Sequence, residues 1–165
     1  MLTPAAFFTG IANNINLKMK IYIGTDHNGY KDKEQIIRYL KDLGHEVIDD
    51  GNEQSDPADD FPLYASKVVK DVLINPDGSR GILLCGSGQG MCMAANRYKG
   101  IRACLCRDEN DAHSARYEDD ANVLCLSADN TSWPYIEKIL ITWLNTIFSN
   151  EPRYVRRVKE LDNLN

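Results

Sequence analysis

The chain has no apolar run long enough to cross a membrane and no excess of basic residues. A membrane-spanning helix needs about 20 mostly apolar residues in succession, and no stretch of the 165 residues approaches that pattern. Lysine and arginine number 19 against 24 acidic residues, for a formal net charge of -5. Because nucleic-acid-binding surfaces are usually basic, the composition predicts a partner that is neither a membrane nor a nucleic acid.

The sequence also lacks a CxxC pair and any histidine at zinc-ligand spacing from a cysteine. An odd number of cysteines in apolar surroundings favours reduced thiols in a cytoplasmic protein. We therefore expect no zinc site at the cysteines and a cytoplasmic location, and no motif indicates a cofactor. The five cysteines stand at positions 85, 92, 104, 106 and 125.

The first 18 residues do not share the pattern of the rest. They are mildly apolar, but they lack the basic start and the convincing cleavage site of a secretory signal. We predict an N-terminal extension over residues 1–18, disordered or weakly docked, followed by a single domain over residues 19–165.

Beyond this extension, short apolar segments alternate with segments of helical periodicity. This alternation predicts an α/β fold of three layers, in which a five-stranded parallel sheet is covered by helices on both faces. Ligands of such sheets bind at the carboxyl ends of the strands. Strands are predicted at 21–24, 46–51, 81–85, 100–106 and 121–126, and helices at 31–43, 65–74, 91–97, 109–117 and 133–148.

A glycine-rich stretch follows the third predicted strand. Cys85 ends the strand, and Gly86, Gly88 and Gly90 follow at alternate positions. Such spacing lets the backbone turn sharply, so that N–H groups at the start of a helix point into one anion-binding concavity. The helix dipole is expected to lower the pKa of a thiol there. We predict a catalytic Cys85, against the alternative of a small buried hydrophobe.

Two other functions also use a cysteine or a glycine-rich turn after a strand. A phosphatase with a cysteinyl-phosphate loop needs arginine six residues after the cysteine, where this chain has Met91, so that function is excluded. A dinucleotide fold places its glycines after the first strand, with an acidic residue about 20 residues later. Asp108 stands near that spacing, but the glycines follow the third strand.

Polar residues near other strand ends extend the predicted site. Asp26 and His27 follow the first strand, with a helix cap and a surface imidazole as the alternative interpretation. The helix before the fifth strand carries His113, Arg116 and Glu118, with a solvated helix face as the alternative interpretation of His113.

The C-terminal segment over residues 151–159 is basic in an acidic protein. Arg153 and Arg157 stand at i,i+4 on one helix face, where together they could bind a phosphate. The alternative is a solvated helix.

Several motifs together resemble the type B ribose-5-phosphate isomerases, the family that includes galactose-6-phosphate isomerase subunits. The resemblance extends from Lys20 to about Leu161. It implies a Rossmann-like domain, a homodimer or tetramer, and a metal-free aldose-ketose isomerisation of a sugar phosphate. The motifs are Gly24-Thr25-Asp26-His27-Asn28-Gly29, Phe61-Pro62 with Tyr64-Ala65, Cys85-Gly86-Ser87-Gly88-Gln89-Gly90, Ala94-Ala95-Asn96, Gly100-Ile101-Arg102-Ala103 and Asn122-Val123-Leu124.

The resemblance also implies roles. Cys85 would transfer the substrate proton as a base, Ser87 would support it, and the amides of residues 86–90, which include Gln89, would stabilise an enediolate. Asp26 and His27 would bind substrate on the ring and phosphate side. Arg153 and Arg157 would bind phosphate, in a site that could be shared with a partner subunit.

Three positions depart from the family pattern. Glu118 and Asp119 stand where ribose-5-phosphate isomerases have a ring-opening histidine followed by asparagine, and one galactose-6-phosphate isomerase subunit is similar to this chain there. Asp129 stands where an arginine is usual, and Phe61 where a tyrosine is frequent. We predict isomerisation of ribose 5-phosphate and ribulose 5-phosphate. The alternatives are a hexose 6-phosphate isomerase and a non-catalytic paralogue that binds a sugar phosphate.

Overall fold

The computed structural model of the chain describes residues 18–164, so the predicted extension lies outside them apart from Lys18. Five strands are present in this range: β1 (Lys20–Thr25), β2 (Glu46–Asp49), β3 (Ser79–Cys85), β4 (Ala103–Leu105) and β5 (Val123–Ser127). They alternate with helices α1 (Tyr30–Asp42), α2 (Phe61–Ile74), α3 (Gln89–Ala95), α4 (Glu109–Tyr117), α5 (Trp133–Asn145) and α6 (Pro152–Asp162).

The strands form one parallel sheet in the order β2-β1-β3-β5-β4. The central strand β3 pairs with β1 on one side and β5 on the other. Thr25 lies opposite Leu84, and Cys85 lies opposite Ser127. The carboxyl ends of the three central strands therefore meet at one edge, as predicted.

Alternate side chains of each strand enter two separate cores. On one face, Ile23 and Leu84 pack with α1, α4 and α5. On the other, Leu83 and Cys85 pack with α2 and α3. This arrangement confirms the predicted three-layer fold, and it places Cys85 on the face covered by α3. No helix within residues 18–164 is long and apolar enough to span a membrane.

Two helix boundaries differ from those predicted by three or more residues. Helix α2 begins at Phe61 rather than at 65, because Pro62 fits the first helical turn, where no backbone donor is needed. Helix α5 ends at Asn145 rather than at 148, and Thr146 has an extended conformation. Ser149 N–H then donates to Tyr117 O at 3.1 Å, so the segment between α5 and α6 is anchored at the end of α4.

The edge strand β4 is shorter than predicted because two asparagine side chains occupy its backbone groups. Asn96 accepts from Ala103 N–H and donates to Ala103 O, both at 2.8 Å. Asn122 accepts from Arg102 N–H and donates to Gly100 O, also at 2.8 Å. These contacts fasten α3 and the start of β5 to the same edge strand.

Candidate active site

The segment between β3 and α3, residues 85–90, is here called the thiol loop. Its backbone turns at Gly88, which caps α3 with a left-handed φ of 76°. A Cβ there would lie 2.5 Å from the Leu105 side chain and 2.8 Å from Leu126 O. Glycine is therefore required both by the backbone conformation and by the space available.

The Cys85 thiol lies beneath this turn and is only 5% exposed. Burial raises its pKa, and the Asp26 charge acts in the same direction, although hydrogen bonds from the backbone of Met91, Gly88 and Gly90 oppose them. The prediction of a lowered thiol pKa is thus wrong for the free protein, because burial outweighs the amides at the start of a short helix. The backbone amides of Gly88, Gly90 and Met91 nevertheless act to lower the thiol pKa and so favour its thiolate form.

The segment after β5 supports the thiol loop from the side. Ser127 Oγ donates to Gly86 O at 2.7 Å, and the N–H groups of Ala128 and Asp129 donate to Cys85 O and Gly86 O at 3.0 Å. The Asp129 carboxylate lies 2.8 Å from the position that a Cβ on Gly86 would occupy. A negative charge therefore borders the thiol loop, while Ser87 and Gln89 are exposed within it.

Asp26 and His27 lie at the end of β1, next to the thiol loop. The Asp26 side chain is buried, and its Oδ1 accepts from the N–H groups of Asn28 and Gly29 at 2.9 and 3.3 Å. His27 is half-buried, and its Nδ1 lies 2.6 Å from Asp59 Oδ1. Asp59, from the polar loop before α2, was not among the predicted site residues.

Asp26, His27 and Asp59 are also the one group of three possible metal ligands among residues 18–164. The donors in this group already have partners in the protein. Asp59 accepts from His27 and Asn52, and Asp26 accepts from two backbone amides. We therefore interpret the group as a hydrogen-bonded cluster rather than a metal centre.

The remaining predicted site residues form a second region, here called the α4–α6 group, with members Glu118, Asp119, Arg153 and Arg157. Tyr154 is buried, and the guanidinium carbons of Arg153 and Arg157 lie 4.4 Å and 5.9 Å from the centre of its ring. The two arginines therefore share one face of α6. Burial raises the pKa of Asp119, as does Glu118, whereas Arg157 lowers it.

The two regions are far apart within one chain. Glu118 and Asp119 precede the start of β5, where Asn122 O accepts from Gly81 N–H near the start of β3. From Gly81 to Cys85 the strand rises about 13 Å, at about 3.3 Å per residue. The thiol loop lies at the carboxyl edge of the sheet, and Glu118 lies near the amino edge.

Arg116 and His113, which the sequence analysis also included in the predicted site, lie away from the thiol loop. Arg116 is buried and pairs with Asp120 at 2.8 Å, so it stabilises the end of α4. His113 is exposed and stacks on Tyr117 with ring centres 5.1 Å apart. Neither lies at the thiol loop, because α4 runs back towards the amino edge.

Phe61, the third departure from the family pattern, lies over the thiol loop. A Cβ on Gly90 would lie 2.9 Å from its ring. Phe61 therefore covers the first turn of α3 with an apolar edge and offers no hydroxyl there.

A parallel sheet with a thiol and converging amides at its carboxyl edge defines the chain as an α/β protein with an enzyme-like site. The model of the ribose/galactose isomerase family matches residues 21–161. The chain belongs to this family, which contains the type B ribose-5-phosphate isomerases.

The similarity to individual relatives extends over most of this chain and of theirs. Ribose-5-phosphate isomerase B of Escherichia coli is 35% identical over 142 residues, which cover 86% of this chain and 93% of that protein. The crystal structure of the Mycoplasma genitalium ribose-5-phosphate isomerase B, with bound ribulose 5-phosphate, is similar with a TM-score of 0.85 and 38% identity. That match covers 89% of this chain and 96% of that one. The Thermotoga maritima enzyme also gives a TM-score of 0.85, with 40% identity over 90% of this chain and all of that chain.

Proposed function

We propose that this protein interconverts ribose 5-phosphate and ribulose 5-phosphate through a cis-enediolate. The family membership supports the reaction class, and the bound ribulose 5-phosphate in the M. genitalium relative supports the pentose substrate. The observation that carries the proposal is the position of the Cys85 thiol at the carboxyl edge of the sheet, directly before the glycine-rich turn into α3.

In the proposed reaction, the Cys85 thiolate removes the C2 proton of the open-chain aldose phosphate. The electron pair forms the C1–C2 double bond of the enediolate, whose C1 oxygen carries the negative charge. Cys85 then returns its proton to C1, the proton of the C2 hydroxyl moves to the C1 oxygen, and C2 becomes the carbonyl carbon of the ketose. Amides of the thiol loop stabilise the developing oxyanion, with Ser87 beside them. Because burial raises the thiol pKa, these amides must hold the thiolate form during the reaction.

The separation of the two regions leads to a second part of the proposal. A homodimer would let the α4–α6 group of one subunit complete the site at the thiol loop of the other. Arg153 and Arg157 would then bind the substrate phosphate, and Glu118 would open the sugar ring with Asp119 beside it. In such a shared site the α4–α6 group would act on a substrate bound at Cys85, although within one chain Glu118 lies more than about 10 Å from the thiol loop.

Purified protein assayed with ribose 5-phosphate, allose 6-phosphate and galactose 6-phosphate tests the proposal. We expect turnover of ribose 5-phosphate that survives EDTA. Turnover of only a hexose phosphate would overturn the pentose assignment and support the alternative raised by Glu118 and Asp129. Binding of sugar phosphates without turnover of any would favour the non-catalytic paralogue.

A further inference from the structure

Asp59 differs from the residues around it in the loop between β2 and α2. Its side chain is only 7% exposed, whereas the neighbouring Asp56 and Asp60 are exposed. Burying a carboxylate is costly unless hydrogen bonds compensate for its lost hydration. The hydrogen-bond partners of the Asp59 carboxylate therefore indicate its role.

The main partner of Asp59 is His27, at the end of β1. Asp59 Oδ1 accepts from the His27 backbone N–H at 3.2 Å and lies 2.6 Å from the ring Nδ1. Since an ionised carboxylate only accepts, Nδ1 carries the proton in this contact. Both the position and the orientation of the imidazole are thus fixed by one side chain. No hydrogen bond to the other ring nitrogen, Nε2, is formed within residues 18–164.

Further hydrogen bonds fix the position of the Asp59 side chain. Its Oδ2 accepts from Asn52 Nδ2 at 2.9 Å, and Asn52 is buried. The Asn52 carbonyl oxygen of the side chain accepts from Thr25 Oγ1 at 3.2 Å, and its backbone oxygen accepts from Lys33 Nζ. The Asp59 contact therefore extends into the end of β1 and the buried face of α1, which limits its movement.

The negative charges around His27 all raise its pKa. The side-chain hydrogen bond to Asp59 raises the pKa of His27 most, burial acts against it, and the charges of Asp26, Asp59 and Asp56 raise it further. Burial acts to raise the pKa of Asp59, but its hydrogen bonds from His27 lower it on balance. Tyr64 faces the same three carboxylates, and burial together with their charges raises its pKa.

We propose that Asp59 is a positioning residue, which fixes His27 through Nδ1 and thereby presents Nε2, a donor in the charged imidazolium, to the anionic sugar phosphate. The proposal rests on the function proposed above, in which His27 contacts the substrate. Asp59 itself touches no substrate. Its role resembles that of the carboxylates that orient histidines in catalytic and metal sites, where the partner of one ring nitrogen decides what the other can do.

The test compares Asp59→Asn with Asp60→Asn, an exposed neighbour without a side-chain capping bond. His27 is titrated by NMR, and its signal is identified by its loss in His27→Gln among the three histidines. We expect a lower His27 pKa in Asp59→Asn and no change in Asp60→Asn. Since the protonated imidazole persists only below its pKa, Asp59→Asn should weaken binding most between the His27 pKa of the variant and the higher pKa of the unchanged protein.

For ribose 5-phosphate, KM of Asp59→Asn should rise about tenfold at a pH between the two measured His27 pKa values, the scale of a lost charged hydrogen bond, and less at a pH below both. The value of kcat should change little, and Asp59→Glu should restore part of the loss. A His27 pKa unchanged in Asp59→Asn would overturn the proposal, as would equal losses at both pH values. If the protein turns over no sugar phosphate, its affinity for ribulose 5-phosphate is measured by calorimetry at the two pH values in place of KM. A failure of the proposed isomerase function is then distinguished from a failure of the proposed role of Asp59.

Discussion

The thiol loop and the α4–α6 group are built in different ways. Backbone geometry determines the thiol loop, where a left-handed glycine and the support of β5 leave its atoms little freedom. The α4–α6 group instead presents long, exposed side chains of Arg153 and Arg157 around one buried tyrosine. A rigid element suits proton transfer, whereas two exposed guanidinium groups suit capture of a phosphate. Changes in the two regions should therefore affect kcat and KM differently.

The largest expected effect is that of Cys85→Ala. Loss of a general base costs about a hundredfold to ten-thousandfold in rate, so kcat for ribose 5-phosphate should fall by about a thousandfold. Calorimetry should show that ribulose 5-phosphate still binds. Cys104→Ala, in which a half-buried thiol packed against the opposite core is removed, is the control and should retain kcat. Unchanged turnover in Cys85→Ala would mean that another group is the base.

The next effect concerns Glu118→Gln. If this carboxylate opens the ring, its loss should slow reaction of cyclic ribose 5-phosphate by about a hundredfold. A shorter aldose phosphate that cannot form a ring should react almost normally. Glu109→Gln, at the other end of α4, provides the control. Equal losses on both substrates would remove the ring-opening role of Glu118.

A smaller effect is expected from Arg157→Gln. Removal of one charge-assisted contact to phosphate should raise KM for ribose 5-phosphate about tenfold and leave kcat nearly unchanged. Arg156→Gln is a matched control, because Arg156 is equally exposed on α6 and pairs with Glu160 at 3.7 Å. If steady-state kinetics gave the same KM for both variants, Arg157 would have no specific contact with substrate.

Asp129→Asn should have the smallest effect. Its carboxylate borders Gly86, where it would repel the substrate phosphate, but exposure to solvent screens the charge. KM for ribose 5-phosphate should therefore fall about twofold to fivefold, whereas Asp42→Asn on the exposed end of α1 should leave it unchanged. A rise in KM would instead indicate that Asp129 accepts a hydrogen bond from the sugar.

The sequence predicted the fold and the thiol loop because both depend on local patterns. Apolar periodicity indicated the sheet and its two cores, and the spacing of glycines indicated the turn at Gly88. Burial could not be predicted in the same way, so the sign of the Cys85 pKa shift was wrong. Asp59 was missed because only the folded loop brings its carboxylate to His27. The distance between Glu118 and Cys85 likewise follows from the direction of α4 rather than from any motif.

Complementation between two variants that are both defective at substrate concentrations well below KM tests most directly whether the two regions form one site across a dimer. Cys85→Ala would be co-expressed with the double variant Arg153→Gln/Arg157→Gln, and heterodimers would form by random pairing. Half of the dimers would then be mixed, and each would contain one intact site. We predict that turnover of ribose 5-phosphate recovers to about a quarter of the normal value. Recovery no greater than the sum of the two parent variants would contradict a shared site.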